Sequence, residues 1–68
     1  MVYQNREIPI IMYRKKDGEI EKFLGRELGW TEVSLERLEK ALDDISDFSN
    51  FRTISDEDAE ETIKKWYG

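Results

Sequence analysis

Five carboxylates recur along the middle of this chain at steps of four, three, four and four: Glu32, Glu36, Glu39, Asp43 and Asp47. At 100° per residue they fall within about 80° of one helix face. Leu35, Leu38, Leu42 and Ile45 occupy a face about 120° away, which the pattern assigns to the core. The chemistry open to such a stripe is recognition by charge. Several of its terms run against helix stability. Asp43, Asp44 and Asp47 crowd the C-terminal end, where negative charge opposes the helix dipole, and Glu39–Asp43 and Asp43–Asp47 repel at i,i+4. Each term is only a few tenths of a kcal/mol, but a series of small penalties in one place suggests a partner.

A partner surface is therefore assigned to Glu32, Glu36, Glu39, Asp43 and Asp47, with Asp44 at its edge. Over about 22 Å of helix the charges stand about 5.6 Å apart, against about 3.4 Å per phosphate on one DNA strand. A basic groove that accepts phosphates can accept this row, so nucleic-acid mimicry is the boldest form of the expectation. The plainer form is a basic protein surface steered by complementary charge.

Other chemistries fare worse. Asp43, Asp44, Asp47, Ser49 and Asn50 are oxygen donors of the type calcium takes, but the glycine and the bidentate glutamate of an EF-hand loop are missing. The chain has no cysteine and no histidine, hence no thiolate ligand, no thiol nucleophile and no general base near neutral pH. Ser34, Ser46, Ser49 and Ser55 have nothing to activate them. Gly18, Gly25 and Gly29 are isolated and build no phosphate loop. No cofactor is expected, and the chain reads as non-enzymatic because so short a chain has little room for a substrate pocket.

The elements that must carry the stripe belong to one acidic domain spanning residues 1–68. Met1 to Gly29 holds six basic against five acidic residues, and Trp30 to Gly68 holds five against eleven. No linker-like composition separates the halves. An extended segment is expected over Ile8–Arg14, a turn at Lys15-Lys16-Asp17-Gly18, and a return strand over Glu19–Leu24 with Ile20 and Leu24 inward. Thr31 is the expected cap of the acidic helix, which should run from about Glu32 to about Ser46, with Trp30 stapled onto Leu35. Arg52 to Ile54 should be a short extended segment. Ser55-Asp56-Glu57-Asp58 then opens a last helix that buries Ala59, Ile63 and Trp66, with Tyr67 beside them.

The expected fold is α+β: an N-terminal β-hairpin packed on two α-helices, or alternatively one or two short strands with three helices. The alternative comes from reading Glu19 to Leu28 as helical. It also underlies a rival function, because Phe23 to Ser34 has the rhythm of a helix-turn-helix, with Gly29 in the turn. A small DNA-binding regulator would follow, with Lys15, Lys16, Lys22 and Arg26 on the phosphates. The net charge of −5 places direct nucleic-acid binding second. The first expectation is thus a small acidic inhibitor or regulator that binds a basic, nucleic-acid-handling protein. No run is apolar enough to span a membrane and no signal-peptide pattern opens the chain, so a cytoplasmic location is expected. A homodimer is compatible with so small a core.

Overall fold

The computed structural model describes all 68 residues. The turn expected at Asp17-Gly18 organises the N-terminal half. Both residues take positive φ, 51° and 82°, the twist that suits a two-residue hairpin loop. It joins β2 (Met12–Lys16) to β3 (Glu19–Phe23), paired antiparallel from Lys16↔Glu19 to Tyr13↔Lys22. The hairpin is therefore present, and Glu19–Phe23 is strand.

Three further strands extend it. In sequence order they are β1 (Val2–Asn5), β4 (Trp30–Glu32) and β5 (Phe51–Ile54), giving an all-antiparallel sheet of order β4-β3-β2-β1-β5. The β5 strand matches the extended segment expected there. The β1 strand has only one strongly β-prone pair, and its inward polar residue Gln4 hides it from pattern reading. Strand β2 begins later than Ile8 because the Asn5 side chain accepts from the Glu7 and Ile8 amides at 2.9 and 2.8 Å. That curls Ile8 to Ile11 into a turn, closed by the Asn5 amide donating to the Ile11 carbonyl at 2.9 Å.

One helix lies on each face of the sheet. Successive strand residues point to opposite faces, and both faces are apolar here. Tyr13, Ile20 and Phe51 pack with Ala41 and Ile45 of α1 (Leu35–Ser46). Val2, Met12 and Phe23 pack with Ala59 of α2 (Asp56–Tyr67). Leu24 is not inward: the strand ends at Phe23, the Leu24 amide donates to the Gly29 carbonyl at 2.9 Å, and the side chain is exposed. Helix α2 follows expectation at its start, where Ser55 Oγ accepts from the Asp58 amide at 3.0 Å. Its end does not. Trp66 is 53% exposed, and Tyr67 reaches the sheet only at its margin, with its ring 6.1 Å from that of Phe23.

The segment from Phe23 to Ser34 corrects two expectations. It forms strand, tight loop and strand, not helix-turn-helix, so it presents no recognition helix. Thr31 lies in β4 opposite Lys22, and Ser34 stands at the N-cap position of α1 instead. Trp30 packs edge-on against Phe23 with centroids 5.5 Å apart, and the Arg14 guanidinium lies 4.5 Å from the Trp30 ring. Pairing decides the matter. Residues Trp30 to Glu32 bond to β3, and the Val33 amide continues the ladder to the Ile20 carbonyl at 2.8 Å. Extended backbone there cannot also be the first turn of a helix.

Candidate docking surface on the first helix

Helix α1 is rolled about 60° from the orientation its leucines suggest. Ala41 and Ile45 are the buried positions, Leu38 is half-buried, and Leu35 and Leu42 are 88% and 41% exposed. Two features hold this roll. Ala41 lets the helix approach the Tyr13 side of the sheet closely, and Asp44 accepts a hydrogen bond from the Tyr13 hydroxyl at 3.0 Å. Burial first, then the hydrogen bond to Asp44 and its charge, push the Tyr13 phenol up to about 12.

The structure separates the six carboxylates of the expected surface. Glu36, Glu39 and Asp43 stand exposed on the outward side of α1, and none forms an ion pair. Asp44 turns toward the sheet to meet Tyr13 and is not at the edge of an outer surface. Asp47 lies past the helix, where its carboxylate accepts from the Ser49 amide at 3.1 Å and the Asn50 side chain at 2.7 Å. It shapes the turn into β5. Glu32 sits in β4 opposite Glu21, so it belongs to the sheet and not to the helical row. What remains is a row of three, over about 10 Å of helix.

Beside that row runs a feature the sequence pattern assigned to the core. Leu35 and Leu42 face solvent next to Glu39, and Phe48, 70% exposed, follows the C-terminal end of α1. The signal that finds it is the alanine: a small residue at Ala41 marks where a helix can lie closest to a sheet, and that roll turns the leucine stripe outward. The last turn of α1 carries no basic residue, so its negative dipole end adds to the acidic field. No three metal-ligating side chains converge anywhere in the molecule, and no helix is long and apolar enough to cross a membrane.

Fold and surface together define a five-stranded antiparallel sheet clasped by one helix on each face, with an outward helix side that is part acid and part leucine. No protein-family model, curated protein or solved structure matches this chain.

Proposed function

We propose that the domain is a non-catalytic protein-binding module that uses the outer side of α1 to dock on a basic surface of a partner protein, acting as a small acidic inhibitor or regulator. The observation that supports this reading is the adjacency of three unpaired carboxylates, Glu36, Glu39 and Asp43, to exposed Leu35 and Leu42. An apolar strip rimmed by one sign of charge is the anatomy of a protein interface: leucine supplies desolvation, and the acid rim steers association and excludes acidic partners. A solvated face with no role would not need the leucines. Where the partner handles nucleic acid, the carboxylate row would occupy part of its phosphate track. With three charges, the mimicry is local.

The test is retention of basic host proteins on three immobilised forms of the domain: the parent, a variant carrying Glu36→Gln, Glu39→Gln and Asp43→Asn, and a variant carrying Leu35→Ser and Leu42→Ser. A partner held by the parent, released by salt and lost by the variant supports the reading. A partner held equally by a Leu35→Ser, Leu42→Ser form removes the apolar half of it. Retention unaffected by either set sinks it.

A further inference from the structure

On the flank of α1 opposite Leu35 and Leu42, the helix leaves part of the sheet uncovered. There an open cleft of about 540 Å³ lies between α1 and strands β3 and β4, lined by the cations Lys22, Arg37 and Lys40 and by apolar Leu24, Val33 and Ala41. Three positive side chains on one cleft are unexpected in a chain of net charge −5.

Two of the three are exceptional within the molecule. Lys22 is the only lysine that is half-buried; the other five are exposed. Its Nζ lies 5.6 Å from the centroid of the Tyr13 ring, and it has no carboxylate partner. Four of the five arginines donate to protein acceptors: Arg6 to the Phe48 carbonyl, Arg14 to Glu21, Arg26 to the Tyr67 carbonyl and Arg52 to Gln4. Arg37 is the one whose guanidinium donates to nothing. Glu32 and Glu36 also border the cleft, yet neither pairs with its cations. Cations with no carboxylate in ion-pair reach leave a positive local field that an anion in the cleft would meet.

We propose that this cleft binds a small organic phosphate. The phosphate would be held by Lys22, Arg37 and Lys40, with the planar fork of Arg37 suited to two of its oxygens. Glu32 and Glu36 offset part of the charge but leave the lining net positive, and the several acceptor oxygens of a phosphate can meet three separate donors where a carboxylate has only two. The apolar lining takes the organic part, and a volume of about 540 Å³ lies in the range of small-molecule sites, far above what a lone phosphate fills. The first turn of α1 borders the same cleft, and its positive dipole end has the matching sign.

Phenyl phosphate titrated into ¹⁵N-labelled protein at low salt is the direct test. The amides of Thr31, Arg37 and Lys40 should shift saturably with a Kd on the order of 1 mM, and inorganic phosphate should bind about tenfold more weakly or worse. A variant carrying Arg37→Gln and Lys40→Gln changes only exposed side chains. It should keep the parent's spectrum elsewhere and weaken phenyl phosphate about tenfold or more. A charge-matched control, Lys64→Gln with Lys65→Gln on α2, should bind as the parent does. Absence of a saturable shift, or a shift that survives the Arg37 and Lys40 changes, overturns the site. Inorganic phosphate binding as tightly as phenyl phosphate overturns the organic ligand. None of these readouts involves Leu35, Glu39 or Asp43, so failure here leaves the docking surface standing.

Discussion

Gln4 is the only buried polar side chain in the molecule, and it ties four segments together. Its Oε1 accepts from Arg52 Nε at 3.0 Å and Nη2 at 2.8 Å, which fastens β1 to β5. Its Nε2 donates to the Pro9 carbonyl at 3.0 Å and to Thr62 Oγ1 at 3.3 Å, which adds the β1–β2 loop and α2. Gln4→Met keeps the length of the side chain and removes every one of these bonds. The charge-assisted pair from Arg52 is worth about 1.5–3 kcal/mol and the shorter amide bond about 1 kcal/mol. Against this, a buried thioether regains about 1–2 kcal/mol of apolar transfer. Arg52 and Pro9 are exposed and can rehydrate, so no large desolvation penalty is left behind. The net expectation is a loss of about 2 kcal/mol, within a total of about 3–10 kcal/mol for a domain of this size. In thermal unfolding that is a fall in Tm of about 8–16 °C. Urea unfolding of the parent, Gln4→Met, Arg52→Met and the double variant gives the coupling directly. With Gln4 gone, Arg52→Met should change stability by less than about 0.5 kcal/mol. A Gln4→Met protein as stable as the parent, or two strictly additive substitutions, would refute the argument that this cluster joins the segments.

Tyr13 makes stability sensitive to alkaline pH. Its phenol sits at about 12 in the fold against an ordinary 10.0, so the neutral form is favoured by folding. That contribution is whole below pH 10, and is lost as pH rises toward 12. A shift of this size amounts to at most about 2–3 kcal/mol, and Tyr13→Phe should flatten the difference in stability between pH 9.5 and 12, about the span of the titration. Neutralising Glu39 and Asp43 to Gln and Asn should leave chemical stability unchanged or raise it by up to about 0.5 kcal/mol, because like charges and an opposed dipole are relieved. Asp47→Ala should instead lower it by about 1 kcal/mol through the lost bonds to Ser49 and Asn50; equal effects of the two changes would erase the distinction drawn between those carboxylates. Gly18→Val forces a β-branched residue to a φ of 82°. It should cost about 1–2 kcal/mol in denaturant unfolding, and a neutral result would show that the turn relaxes to another type.

Local chemistry is what the chain determined by itself. The Asp-Gly pair specifies a hairpin turn, and Ser55 with three acids behind it specifies a helix start, because both depend on atoms within four residues of one another. The order of strand, turn and helix signals likewise bounds the α+β class, and the length with no linker-like stretch bounds the single domain. Which side of α1 faces inward was not local. The leucine stripe is a valid core pattern, and the roll that exposes Leu35 and Leu42 is chosen by Ala41 fitting the sheet and Asp44 reaching Tyr13, thirty-one residues away. Thr31 is likewise a good helix cap in isolation, but β3 offers its segment a ladder of backbone bonds, and strand pairing wins over capping. The carboxylate row follows the same logic. A helical period placed five charges together, and tertiary structure kept three, since Asp47 closes a turn and Glu32 joins a strand. Periodicity measures spacing along one element, whereas a surface is set by the element's rotation against the rest of the molecule, and that rotation is fixed by contacts between residues far apart in the chain.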